Sequence, residues 1–498
     1  MTTATLLGST TPRLWTRPAV TGPPGPCVCG ECALSPETSL GFSVIAFGEM
    51  TGTPLLKWQQ FLVVHGMELR PDNLPRFRTV LALVARQAGK TTLLKVIAGW
   101  WMTVAIVPLI LGISTKLSTA AEAWRGCLDL LRSDPDLDQM VAEVRRANGQ
   151  ECITTTDGAR YMIAASNDDA GRGLTVHRLI LDEVRQQRTW ATWSASVKAM
   201  TAVADAQAWC ITNAGDDDSV VLNALREQAL EQMQQDDPVD PIGLFEWSAP
   251  DGCAIDDREA WAQANPSLGY IVTEAAIRSA LVTDPEPVFR VEVLCQRVRS
   301  MSPAVTGGAW EGCFEPGDLG ELRSRVALCF DVSLDGQHAT VIAAAVQDDG
   351  RVRVEPVHAW SGPSCMADLE RELPALVARV KPSRAGWLPS GPAAALAASM
   401  AKRPGWPPRG VALDAIRGDV PATCMGLAKE IEAGTLVHSA DPLLTAHVTT
   451  AERKSQGDRW VFVRKGAGHC DAAYAAAGAV YLARQVPPRR ATRIIVAA

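Results

Sequence analysis

The chain carries little net charge for its length: its 498 residues sum to a formal −7 at pH 7. That excludes a protein that coats nucleic acid through bulk basic charge, though not one with a local basic groove. An apolar run free of breakers is also missing. Val96 to Ile113 comes nearest, but Gly99, Pro108 and Gly112 interrupt it, and it directly follows a polar Gly89-Lys90-Thr91 turn. It is expected to be the tail of a helix followed by a buried strand near Ala105–Leu111, not a membrane span. A local set of four cysteines in paired spacing is lacking too. Thirteen cysteines lie scattered with no secretory signal ahead of them, the usage of reduced thiols in a cytosol. Cys27, Cys29 and Cys32 crowd into Cys-Val-Cys-Gly-Glu-Cys, and Cys470 adjoins His469. A structural zinc takes four ligands in paired spacing, so three in a Pro-rich arm are expected to be unligated thiols.

The composition that remains, 47% hydrophobic and 21% charged, is that of a globular protein, and the length calls for two or more domains. Composition shifts predict an irregular arm over residues 1–45 and an α/β domain over 46–300. A Gly/Pro/Ser-bearing linker follows over 301–324, then a second α/β domain over 325–498.

One glycine is absent where a strict phosphate-binding loop would need it: position 84 is Val. Yet Thr79-Val-Leu-Ala-Leu-Val-Ala leads through Arg86-Gln87-Ala88 into Gly89-Lys90-Thr91-Thr92 and an amphipathic Leu93-Leu94-Lys95-Val96-Ile97. This reads as strand, loop, helix. Gly89 lets backbone approach a phosphate, and successive N–H groups at a helix start supply positive potential. Lys90 reaches outer phosphates, and the Thr91 hydroxyl can hold Mg²⁺. The plain alternative is a strand-to-helix turn capped by threonine.

A second element changes the balance. His177-Arg-Leu-Ile-Leu181 is an apolar strand ending in Asp182-Glu183. It places Asp182 at a strand tip as the metal-side carboxylate, with Glu183 able to orient and deprotonate a water. Ala208-Trp-Cys-Ile211 ends in Thr212-Asn213-Ala214-Gly215, polar groups suited to sensing a γ-phosphate, or simply a good turn. Upstream, Gln59 beside Trp58 offers an amide that could read an adenine edge. Gly171-Arg172-Gly173 reads as a flexible basic turn, and Phe289–Val298 as a helix.

In the second half, Arg325-Val-Ala-Leu-Cys-Phe330-Asp331 opens three strands, with Asp335 in the first turn and Asp471 starting an Ala-rich helix. The tail Arg489-Arg490-Ala-Thr-Arg493 is basic, a solvated end by default.

Together these segments resemble, in islands from Trp58 to Leu482, the large terminase subunit of tailed bacteriophages. The marks are Arg86-Gln-Ala-Gly-Lys-Thr91, Leu181-Asp182-Glu183, Ile211-Thr212-Asn213-Ala214-Gly215, Trp261…Ala-Asn265-Pro-Ser-Leu-Gly269 and the Asp471 helix. The resemblance implies a doubly wound P-loop (ASCE-type) ATPase domain joined to an RNase H-like nuclease domain. It implies ATP and Mg²⁺ at Gln87, Ala88, Gly89, Lys90, Thr91, Thr92 and Gln59. Arg86 would stand near the γ-phosphate, and Thr212 and Asn213 would couple hydrolysis to movement. Asp331 and Asp471 would hold Mg²⁺ or Mn²⁺. The middle nuclease carboxylate of that family is missing at Ala385–Pro392, with Asp335, Asp414 or Glu355 as substitutes. Implied partners are double-stranded DNA, a small terminase subunit and a portal or procapsid on which a homo-oligomeric ring forms, in the host cytoplasm. The alternatives are an ATP-dependent nuclease or helicase of repair or defence, and a DNA-binding scaffold with an inactive nuclease domain.

Overall fold

Strands buried on both faces must be apolar throughout, whereas those exposed on one face alternate. Both kinds occur in the computed structural model, which describes residues 6–147, 151–166, 171, 173–235, 241–298, 301–389, 391–416, 420–464 and 469–487. Arg172 and the Arg489–Arg493 tail lie outside the described residues. The chain divides into two units, Met1–Val298 and Arg299–Ala498.

The first unit is built on a nine-stranded sheet. Its strands are β1 (Leu14–Trp15), β2 (Thr79–Leu83), β3 (Leu109–Ser114), β4 (Val141–Arg145), β5 (Cys152–Thr155), β6 (Arg160–Ala165), β7 (Arg178–Asp182), β8 (Gln207–Thr212) and β9 (Ile242–Glu246). They lie in the order β1-β9-β2-β8-β7-β3-β6-β5-β4. The run from β9 to β6 is parallel, and the edges are antiparallel. Period-two alternation splits the core. Val80, Ala82, Trp209 and Ile211 face the helices Lys57–Gly66, Lys90–Thr103 and Leu117–Ser133, while Leu81, Leu83, Ala208 and Cys210 face Val220–Gln232. β8 is interposed between β2 and β7. That is the ASCE-type arrangement, and it brings the loop after β2 and the acids ending β7 to one edge of the sheet.

Two expectations need correction here. The buried strand after the loop helix starts at Leu109, not Ala105, because Pro108 cannot donate to a central ladder. The helix expected over Phe289–Val298 instead spans Glu286–Glu292. The arm is anchored: β1 pairs with β9, Trp15 packs edge-on against Phe61 and His65, and the helix Gly41–Met50 begins within it.

The second unit carries β10 (Ala327–Val332), β11 (His338–Val346), β12 (Val352–Ser361), β13 (Arg384–Trp387), β14 (Ala412–Ala415) and β15 (Leu436–His438) in the order β14-β13-β10-β11-β12-β15. β10, β11 and β12 are antiparallel, and β13 and β14 run parallel to β10, an RNase H-like sheet. A separate hairpin pairs β16 (Arg453–Gln456) with β17 (Arg459–Phe462). The helix Asp471–Arg484 packs on β10 and β11. A Cβ at Gly478 would stand 2.3 Å from the Cys329 sulfur, so only glycine permits that approach. The stretch 301–324, expected as a linker, is folded into this unit. Ala304 N–H donates to Ala451 O, Glu315 N–H to His438 O, and buried Trp310 stacks on His438 at 3.8 Å.

Candidate active sites

At the β2 tip the chain turns through Gln87 (φ 60°) and Gly89 (φ 96°) into the helix beginning at Lys90. At the β7 tip Glu183 also takes a left-handed backbone, φ 57°, an unfavourable conformation for a non-glycine residue and one frequent at functional sites. The two tips meet: Lys90 Nζ lies 3.7 Å from Glu183 Oε1. Lys90 Nζ and Asp182 Oδ1 are both buried without a hydrogen-bond partner, as are Ser114 Oγ at the β3 tip and Asn213 Oδ1 beyond β8. Asp182 is pushed up to about 6 by its burial and by the Glu183 charge, against the pull of Lys90. Buried polar groups are normally paired, so four orphans at neighbouring strand ends ask for a polar ligand. A magnesium nucleotide fits that demand: Lys90 for phosphate, Thr91 and Asp182 for the ion, and the amides from Ala88 to Thr92 for phosphate oxygens.

Glu292, which no motif marks, organises the rest. It accepts from Arg185 Nη2 at 2.9 Å and from Asn213 Nδ2 at 3.1 Å, and Arg86 Nη1 lies 3.7 Å away. Arg185 Nε in turn donates to Glu183 Oε2 at 2.8 Å. One carboxylate therefore ties the Arg86 loop, Asn213 and the Glu183 turn together. Thr212 is fully buried, and its hydroxyl donates to Asn213 O. The Arg86 side chain remains largely exposed.

Gln59 departs from its expected role. It is 1% exposed. Its Nε2 donates to Gly89 O at 2.9 Å, and its Oε1 accepts from Leu56 N–H at 2.7 Å. Both ends of the amide are occupied in holding the phosphate loop and the start of its own helix, so it is not presented to a base. Ser267, within the Ala264–Gly269 phrase, donates to Ala88 O and accepts from Trp58 Nε1, which fixes the loop from the other side.

In the second unit Asp331 is fully buried on β10, opposite Thr340 on β11. Arg464 grips it with both arms, Nη1 to Oδ2 at 2.7 Å and Nη2 to Oδ1 at 3.0 Å. Burial lifts Asp331 to about 6, with Arg464 pulling the other way. Asp471 accepts from Thr340 Oγ1, while its Oδ1 is buried without a hydrogen-bond partner, 3.5 Å from a His447 Nδ1 that itself accepts from Ala472 N–H. The proposed substitutes lie elsewhere. Asp335 accepts from Ser333 and Gln337 in the turn after β10, Asp414 pairs with Arg384, and Glu355 accepts from Leu319 N–H. Among the described residues no third acid joins Asp331 and Asp471 in a metal-sized group. A two-ion centre needs oxygen ligands free on both sides. With both Asp331 oxygens held by Arg464 and only Asp471 Oδ1 unpartnered, these two acids do not fit one among the described residues.

Comparison of the sequence with known proteins gives a phage relative. The chain is 25% identical over 333 residues to the "Terminase, large subunit" of Enterobacteria phage HK97. The match covers 62% of this chain and 61% of that relative. The chain is thus similar to phage large terminase subunits. No family model matches it. Solved large terminases include that of bacteriophage HK97, at 18% identity and a TM-score of 0.48 over 89% of this chain and 100% of that one. Another is the large terminase of a thermophilic bacteriophage, at 11% identity and a TM-score of 0.35 over 80% of this chain and 93% of that one.

Of the terminase-like residues read from sequence, Arg86, Gly89, Lys90, Asp182, Glu183 and Asn213 meet around one strand edge. Asp331 and Asp471 flank Thr340, but Asp335 and Asp414 do not join them. Arg185 could have been suspected from its place two residues after Glu183. Glu292 had no local signal, since only the fold brings it back to Arg86.

Proposed function

We propose that the chain is an ATP-driven motor that moves double-stranded DNA into a procapsid. The observation that carries this is the set of orphaned polar groups at the β2 and β7 tips, and the 25% identity to a large terminase supports it. In this reading Lys90 and the Gly89–Thr92 amides hold the β- and γ-phosphates, with Gln87 and Ala88 shaping the loop. Thr91 and Asp182 hold Mg²⁺, which would supply positive charge against the phosphate oxygens. Glu183 orients a water and takes its proton as the oxygen bonds to the γ-phosphorus. The bond to the β-bridging oxygen breaks, and ADP leaves with that electron pair. Arg86 stands where γ-phosphate charge develops. Because Arg86, Arg185 and Asn213 share Glu292, loss of the γ-phosphate changes the pull on Thr212-Asn213 and so on the DNA-gripping surface.

Contacts to phosphates position a duplex without reading it, so choice of DNA site falls to a small terminase subunit and docking to a portal, where a homo-oligomeric ring would form. The place of action would be the host cytoplasm. No helix among the described residues is long and apolar enough to cross a membrane. The test is packaging: the chain, ATP, DNA and cognate portal-bearing procapsids should protect DNA from nuclease. A repair ATPase would hydrolyse ATP on DNA and ignore procapsids.

For the second unit, cleavage by Asp331 and Asp471 with Mg²⁺ or Mn²⁺ is the reading that the resemblance suggests. The Arg464 clasp on Asp331, and the lack of a third acid beside it among the described residues, favour another: an RNase H-like module whose cutting is silent, leaving it a DNA-contacting role. Plasmid incubated with the full chain and Mn²⁺ should stay intact. Cleavage that disappears in Asp331→Ala restores the nuclease.

A further inference from the structure

The three arm cysteines have a fourth neighbour that local spacing hides. The helix Lys57–Gly66 presents His65 to them, and one ligand atom from each of Cys27, Cys29, Cys32 and His65 lies within 4.8 Å of all the others. Tetrahedral zinc ligands, at about 2.3 Å for sulfur and 2.0 Å for nitrogen, stand about 3.5–3.8 Å from one another. A contraction of about 1 Å therefore closes the set around an ion.

The histidine is prepared for this. It is 1% exposed, and its Nδ1 lies 2.8 Å from Phe61 O. A carbonyl can only accept, so Nδ1 carries the hydrogen and Nε2 keeps its lone pair. That Nε2 is buried and has no hydrogen-bond partner. An imidazole whose far nitrogen donates to a backbone carbonyl is the usual orientation of a metal-bound histidine. Stacking on Phe61 at 3.9 Å fixes the ring plane. The cysteines are shaped as well. Gly30, at φ 70°, turns the chain back so that its N–H meets Cys27 O at 3.0 Å, and Cys32 N–H points at the Cys29 sulfur at 3.4 Å.

We propose that Cys27, Cys29, Cys32 and His65 bind a structural Zn²⁺ that pins the arm to the helix carrying Trp58 and Gln59. Three sulfurs and one imidazole select zinc over Mg²⁺ or Ca²⁺, and a set of four protein ligands leaves no position for substrate. Binding converts the thiols to thiolates and releases their protons to solvent. The pinned helix is the one whose Gln59 holds Gly89 O, so the ion would brace the phosphate loop from behind.

The test uses the full-length chain purified without chelator and analysed by inductively coupled plasma mass spectrometry. The expected result is one zinc per chain, surviving gel filtration. Cys32→Ser and His65→Ala should fall below about a tenth of that, while His65→Cys and the remote Cys127→Ser should keep it. Should the first two variants fail to fold, cobalt exchanged into the wild type decides. Tetrahedral d–d bands with thiolate charge transfer are expected, and His65→Cys should intensify the charge transfer. Absence of metal from zinc-supplemented preparations, a disulfide among the three cysteines, iron in place of zinc, or a cobalt spectrum unmoved by His65→Cys each overturns the assignment.

Discussion

Two strand-end clusters of acid and base occupy this molecule, and they are satisfied to different degrees. In the first unit Lys90 Nζ and Asp182 Oδ1 are buried without a hydrogen-bond partner, Lys90 having only Glu183 Oε1 at 3.7 Å. In the second, Asp331 has both oxygens taken by Arg464, and of the two acids there only Asp471 keeps a buried oxygen, Oδ1, without a hydrogen-bond partner. A buried polar group without a partner costs on the order of 1–3 kcal/mol, more when charged. A fold retains such a cost where a ligand repays it. A buried acid gripped by a two-armed guanidinium is already at rest. Composition cannot separate these cases, because both clusters pair acids with a basic residue at a strand end. What separates them is the remaining bonding capacity.

The largest expected effect tests that contrast directly. Lys90→Ala and Glu183→Ala should each lower ATP turnover by at least about a thousandfold, since each removes a group acting on developing charge or on the attacking water. Glu183→Ala should still bind nucleotide, measured with a fluorescent ATP analogue. Asp331→Ala should leave ATP turnover within about twofold, because it alters the second unit and none of the groups gathered at the β2 and β7 tips. Turnover that survives Glu183→Ala reassigns the base.

Next in size is the clasp itself. Arg464→Met leaves Asp331 buried and unpaired, which should destabilise the second unit by about 3 kcal/mol. Adding Asp331→Asn should recover most of that loss, as judged by thermal melting followed through the second unit's tryptophans. If Arg464→Met instead preserves the melting temperature and switches on Mn²⁺-dependent nicking, the clasp is a guard on a working site and the contrast between the units fails.

Glu292→Ala should come third, with kcat for ATP lower by about 10–100-fold and KM changed little, because Glu292 positions Arg86, Arg185 and Asn213 without reaching the nucleotide. Glu292→Gln keeps the size and the acceptor oxygen but loses the charge, and should recover part of the loss. An equal loss in KM would place Glu292 in binding instead.

The legibility of each feature followed the range over which its cause acts. The β2 loop and the β7 acids were readable because an apolar strand and the polar residues that end it are contiguous. The helix from Asp471 was readable for the same reason. The register of β3 was missed by four residues, although Pro108 stood in plain view as the reason. Glu292, Arg464 and His65 were invisible as partners. Each meets its partners only after folding, across 107 residues between Arg185 and Glu292 and 133 between Arg464 and Asp331. Gln59 was ambiguous because a buried amide and a base-reading amide have the same sequence signature; the bonds to Gly89 O and Leu56 N–H favour the first.

The smallest effect concerns the back of the phosphate loop, where Ser267 and Gln59 hold the Ala88 and Gly89 carbonyls. Ser267→Ala removes one donor to a buried carbonyl and leaves Trp58 Nε1 without its acceptor, a cost of about 1 kcal/mol. If that cost falls on the nucleotide-ready form of the loop, KM for ATP should rise by about fivefold with kcat nearly constant. The matching change at the other carbonyl, Gln59→Leu, should act in the same direction and more strongly, since it also frees the Leu56 N–H that starts the helix. A Gln59→Leu chain that instead loses preference for ATP over GTP would return that residue to base recognition. Discrimination unchanged, with a raised KM for both nucleotides, keeps it as a support for the loop.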